Sequence, residues 1–276
     1  MNSTKATILS NDSIEEFRLS LLGKGRSEKT TTAYASDIRT FLTAVGEEKI
    51  PMEEFEELAT GWLNLTRTKS APKTTGRRIT SLKAYAEWAG LGAILQDYIA
   101  PKPGRPVPHP IPEGLAGVER MLEQCKNSQQ SALIGLCAFV GLRVSEARLI
   151  VTDNFDVHEM TLKVWGKGDR IRIVPISERA WWTVSSAYVV AMSDPDGRLI
   201  SYSDRAARKV VTRLGELARL SRPVASHDLR ATFATAAFHS NKDLRVVQEL
   251  LGHATSATTE VYTGISMSRM REAVEF

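Results

Sequence analysis

The chain has little of what would restrict it to a special class. Two of its 276 residues are cysteine, Cys125 and Cys137, twelve apart and without a CxxC. That argues against a disulfide framework or a cysteine-based zinc site, and for a reducing compartment. Long hydrophobic runs are missing: the longest, Ala132 to Leu142, falls well short of the roughly 18 residues that a membrane span needs. The first thirty residues carry Asp12, Glu15 and Glu16 and no apolar block, so no signal peptide is expected. No HExxH, EF-hand or Walker pattern occurs, so neither a catalytic metal nor a nucleotide cofactor is expected. What is present is ordinary: 42% apolar and 25% charged residues, enough to bury a real core.

Charge of one sign is also scarce, with a formal net charge of only +4. Its distribution says more. Glu47, Glu48, Glu53, Glu54, Glu56 and Glu57 cluster, as do Arg67, Lys69, Lys73, Arg77, Arg78 and Lys83. A one-sided basic surface fits a polyanion, and a solvated helix face fits equally well.

Proline is concentrated in one place. Six of the eleven prolines fall in Pro101–Pro112, a segment that cannot supply a ladder of N–H donors and favours extended polyproline II. At about 3.1 Å per residue it reaches on the order of 35 Å. The expected organisation is a helical domain over 1–100, a linker over 101–112 and a second domain over 113–276.

Before the linker, apolar spacing predicts about four helices: a short one with Ile14, Phe17, Leu21 and Leu22; one over Ser27–Val45, capped by Ser27 and stopped at Gly46; one around Phe55–Leu63; and one over Thr74–Ala89. Beyond it, one strand pair is expected, Thr161–Trp165 and Ile171–Ile176, around Gly166-Lys-Gly-Asp169. Helices are expected around 178–192, 204–220, 226–240, 243–251 and 256–263. The fold class is therefore mainly α with a small antiparallel β element.

Several residues in this second part have chemical potential. Ser226-His-Asp-Leu-Arg230 reads as a helix start capped by Ser226, with His227 and Arg230 on one face of a turn suited to phosphate. Arg143 is expected at the end of an apolar helix, with Glu146 three residues later to orient it. Leu250-Leu-Gly-His253, Tyr262 and Lys167 in the Gly-rich turn complete the set. Each alone is weak; their order and spacing carry the inference.

Together, Arg143, Gly-Lys167-Gly, His-Asp-Leu-Arg230, Leu-Leu-Gly-His253 and Tyr262 resemble the catalytic set of the tyrosine recombinases, the phage integrase and Xer-type family. The stretch from Asp243 to Tyr262 is similar to that family's signature almost position by position. The resemblance covers about residues 10–276. It implies a SAM-like helical core-binding domain followed by the recombinase catalytic domain, acting on DNA in the bacterial cytoplasm.

The resemblance also implies roles. Tyr262 is the nucleophile, Arg143 and Arg230 bind the scissile phosphate, and His253 adds a hydrogen bond to it. His227 acts as base and Lys167 protonates the departing 5′-oxygen. Glu146 supports Arg143. Lys73, Arg77, Arg78 and Arg172 are expected to touch DNA. The implied activity is metal- and ATP-independent DNA recombination through a 3′-phosphotyrosyl link and a Holliday junction. The partners are double-stranded core sites and a homo-tetramer in which residues 265–276 dock on a neighbour.

Phage or mobile-element integration stands first among the implied functions. Xer-type resolution of chromosome or plasmid multimers is the alternative, and a non-catalytic DNA-binding regulator a remote one. Two departures stand out. Ala231-Thr232 replaces the frequent His-Ser, and only about eleven residues precede the first helix, so a compact form without an arm-binding domain is expected.

Overall fold

The computed structural model describes residues 9–92, 94–101, 109–166, 171–252 and 266–276. The chain divides into two compact units, Met1–Pro106 and Val107–Phe276.

The first unit holds α1 (Asn11–Gly23), α2 (Glu28–Val45), α3 (Met52–Lys69) and α4 (Pro72–Trp88). Local chemistry sets their ends. Ser10 and Ser13 cap α1 reciprocally, each hydroxyl accepting the other's backbone N–H. Ser27 caps α2, and Gly46 closes it at φ 76°, a conformation open to glycine without steric cost. Pro72 opens α4, where its missing N–H is not needed. The core is aromatic: Phe17, Phe41, Phe55 and Tyr85 are fully buried and in ring contact. The Tyr85 hydroxyl is hydrogen-bonded to Ser13 Oγ at 2.9 Å, which satisfies its one buried polar atom.

The second unit runs α5 (Gly114–Glu123), α6 (Ser128–Ala138), α7 (Val144–Ala147), a 3₁₀ turn at Thr152–Asn154, β1 (Phe155–Asp156), β2 (Thr161–Trp165) and β3 (Ile171–Pro175). It continues through α8 (Glu178–Ala191), α9 (Asp204–Leu217), α10 (Ser226–Asn241), α11 (Leu244–Leu251) and α12 (Met267–Val274). Beyond its polar first turn, helix α6 is apolar on every side and lies in the core, with Ala132 to Ala138 all buried. It crosses α8 so closely that a Cβ on Gly135 would lie 1.7 Å from Thr183 Oγ1.

The sheet has three antiparallel strands in the order β1-β2-β3, one more than the sequence predicts. Strand β1 has two residues, too few for alternation to register. Register pairs Arg172 with Val164 and Val174 with Leu162, so Arg172 shares the buried face.

The end of the proline-rich segment is pinned to the helices. Ile111 supplies the one N–H between Pro110 and Pro112 and donates it to Thr232 Oγ1 at 2.9 Å. Arg222 donates to the carbonyls of His109 and Pro110, each at 3.0 Å, and to Asp228 Oδ2 at 2.7 Å. Carbonyls that a proline-rich stretch cannot pair with its own donors are met by a guanidinium instead.

Helix α12 packs on α10 and α11 of its own chain, burying Met270, Ala273 and Val274, with Phe276 against Phe233 at a 5.9 Å ring separation. The tail expected on a neighbour is thus seated in cis in the single chain, whose α10 and α11 offer a fitting apolar surface. Cys137 is buried and Cys125 half-buried; both are free, and burial pushes the thiols up to about 12 and about 11. No described helix is long and apolar enough to cross a membrane. The helix expected at 256–263 lies outside the described residues.

Candidate active site

The site is organised around Glu146, a carboxylate on α7 that is 6% exposed. Arg143 sits at the N-cap position of α7, five residues beyond α6, rather than at the end of an apolar helix as expected. The turn is forced by Gly141, at φ 76°, where a Cβ would meet the Phe233 ring at 2.4 Å. Glu146 reaches back across one turn to accept the Arg143 backbone N–H at 3.0 Å and its Nη1 at 2.6 Å. The orienting role expected for Glu146 has this geometry.

Arg230 enters from α10. The cap of α10 is Ala225, not Ser226: the Asp228 carboxylate takes the Ala225 N–H at 3.0 Å, and Ser226 is the first helical residue. His227, one position on, is exposed, whereas Arg230, one turn later, is 6% exposed. Arg230 donates to the Gly141 carbonyl at 2.7 Å and the Leu251 carbonyl at 2.6 Å, and its Nη1 lies 3.5 Å from Glu146 Oε2. Leu251 ends α11, so the guanidinium meets the negative end of that helix dipole.

Arg172 approaches the same carboxylate from β3, with Nη2 2.9 Å from Glu146 Oε2 and Nε 3.2 Å from the Leu250 carbonyl. Its side chain is only 11% exposed. Arg172, expected to touch DNA, is engaged here in internal contacts, because its strand position faces the core.

Burial works to raise the Glu146 carboxyl, but hydrogen bonds from Arg172 and Arg143 hold it below its ordinary value. Burial, with Arg143 nearby, pushes the Arg230 guanidinium down to about 10, against the pull of Glu146; it stays charged at neutral pH. Lys167, His253 and Tyr262 lie outside the described residues. No described group of three or more His, Cys, Asp or Glu side chains is placed to hold a metal.

In the first unit, Lys73 and Arg77 are exposed on α4, although Arg77 also pairs with the buried Asp37 at 2.6 Å. Arg78 is turned inward, over the Trp62 ring at 5.1 Å and onto Ser70 Oγ at 3.1 Å. Helix α9, expected from the sequence, also exposes Arg205, Arg208, Lys209 and Arg213 on one face, residues not among the expected DNA contacts. Their i, i+3, i+4, i+8 spacing was legible as a basic stripe.

Two guanidiniums stand beside a helix start that bears an exposed imidazole, an arrangement of donors suited to a phosphate. Residues 116–269 match the model of the Phage integrase family. The chain is 30% identical over 280 residues to tyrosine recombinase XerC of Mycobacterium sp. (strain JLS), covering 91% of this chain and 92% of that protein. XerC of Corynebacterium efficiens is 29% identical over 286 residues, with 95% and 89% covered. Among solved structures, a lambda integrase tetramer bound to a Holliday junction aligns with a TM-score of 0.71 at 16% identity, covering 95% of this chain and 82% of that one. This chain belongs to the phage integrase family of tyrosine recombinases, and is a site-specific DNA strand transferase.

Proposed function

We propose that the protein is an Xer-type recombinase that resolves chromosome or plasmid multimers, rather than the phage or mobile-element integrase that the sequence reading put first. The observation that carries this is the end-to-end match to XerC proteins: about nine-tenths of both chains align at 30% identity. The likeness to lambda integrase, at 16% identity, speaks for the fold alone.

In the proposed reaction the Tyr262 oxygen attacks phosphorus, its proton passing to His227, and the bond to the 5′-oxygen breaks as Lys167 supplies that oxygen with a proton. A 3′-phosphotyrosyl ester results, which a 5′-hydroxyl from another strand attacks in reverse, so bond energy is conserved without ATP or a metal. Arg143 and Arg230 take the non-bridging oxygens, where guanidinium forks match phosphate geometry, and His253 adds a hydrogen bond. The first unit serves as the core-type DNA-binding domain through Lys73 and Arg77, and the basic face of α9 adds contacts from the second. Four protomers act on two duplexes, through a Holliday junction, with α12 offered to a neighbour in place of its cis seat.

The test is covalent trapping on fragmented genomic DNA from the source, in EDTA, beside Tyr262→Phe. Protein-linked fragments at one short repeated site, absent with Tyr262→Phe, support the reaction; a site duplicated only in multimers supports resolution. A pair of unlike partner sites would return the integrase reading to first place. No adducts despite salt-sensitive DNA binding would leave a DNA-binding regulator.

A further inference from the structure

Arg172 is the cation of the cluster that has no part in the proposed reaction. It stands on β3, five residues after Lys167 in the sequence, and its guanidinium is in contact with two other segments. Nη2 and Nη1 donate to the two oxygens of Glu146 at 2.9 and 3.5 Å, and Nε donates to the Leu250 carbonyl at 3.2 Å. Its stem lies along Gly252, which has φ 61° and where a Cβ would come within 2.9 Å of Arg172 Cδ. Glycine at 252 is therefore required twice, by the left-handed end of α11 and by the passage of this arginine.

Exposure separates Arg172 from its neighbour. The Arg143 side chain is 36% exposed and Arg172 11%. Arg230 is as covered, at 8%, but stands on the helix start that bears His227, whereas Arg172 has all three of its nitrogens turned to protein acceptors.

Charge gives the position a purpose. Among the described residues, three guanidiniums face the single Glu146 carboxylate, a surplus of two positive charges. Attack of a phenolate on a phosphodiester makes a pentavalent phosphorane carrying two negative charges, so the surplus matches the charge that develops. Without Arg172 the surplus falls to one. Glu146, already 3.5 Å from Arg230, is then free to close on it and draw it from the Gly141 and Leu251 carbonyls.

We propose that Arg172 is a positioning residue for strand cleavage: it occupies Glu146 and ties it to the end of α11, leaving Arg143 and Arg230 free for phosphate. This rests on the recombinase reaction proposed above.

The experiment compares full-length wild type, Arg172→Met and Arg172→Lys in single-turnover cleavage of a nicked duplex bearing the trapped site, with DNA binding measured over a range of salt. The expected result for Arg172→Met is a maximal rate about 10- to 100-fold lower. The half-saturating DNA concentration and the salt slope should stay unchanged, and Arg172→Lys, which keeps the charge, should recover part of the rate. Rates are read well below each variant's Tm. If Arg172→Met fails to fold, the lysine variant against wild type carries the same comparison. An intact rate with weaker binding, and a salt slope shallower by about 0.9, would identify a phosphate contact and overturn the proposal. A rate equal to wild type in Arg172→Met would overturn it too. Absence of cleavage by wild type would instead strike the underlying reaction, and is recognised by that control.

Discussion

Thr232 Oγ1 accepts the Ile111 N–H at 2.9 Å and donates to the Asp228 carbonyl at 2.8 Å, joining the proline-rich strap to the helix that bears His227 and Arg230. The hydroxyl is the part of Thr232 that this contact uses.

Replacing Thr232 with valine keeps the shape and leaves a buried N–H unpaired. A loss of about 1–3 kcal/mol is expected, visible as a lower Tm in thermal denaturation of the full chain. Thr232→Ser should stay close to wild type; an equal loss with serine would place the effect in the methyl group.

Acid should weaken the catalytic unit through Glu146. Its carboxyl is held below 4.5, so its contribution to stability is complete above 4.5 and is lost as pH falls through the depressed folded value. Tm measured from pH 6 to pH 3 should fall less steeply in Glu146→Gln than in wild type. Parallel slopes would assign acid sensitivity to other groups.

Two glycines should separate stability from catalysis. Gly135→Ala drives a methyl into Thr183 and is expected to cost about 1–3 kcal/mol or more, with cleavage by the folded fraction retained. Gly141→Ala strains a φ of 76° and strikes the Phe233 ring, while the Gly141 carbonyl holds Arg230. It should reduce the cleavage rate of folded protein as well as the Tm, measured by single-turnover cleavage beside denaturation.

Much of this architecture was legible because it is local. Ser27 and Gly46 bound α2 as their side-chain chemistry requires, and Glu146 reaches Arg143 because three residues make one helical turn. The rest depends on residues distant in sequence. Arg230 is held by carbonyls 89 and 21 positions away, which no spacing within its own helix announces. On β3 the usual polarity is inverted: Ile171 and Ile173 face outward and Arg172 inward, so an alternation rule puts the arginine on the wrong side. Ser226 was a sound cap by type, but Asp228 outcompetes it by reaching back to Ala225.

The raised thiols have a practical consequence. With Cys137 and Cys125 pushed up to about 12 and about 11, almost no thiolate exists at neutral pH, and maleimides should pass both by. The natural chain therefore already serves as a background for chemical labelling. Exposed positions such as Glu56 and Ser186, one in each unit, can be changed to cysteine and made to carry a donor and an acceptor dye. Energy transfer between them would follow the two units in real time as DNA is bound and released.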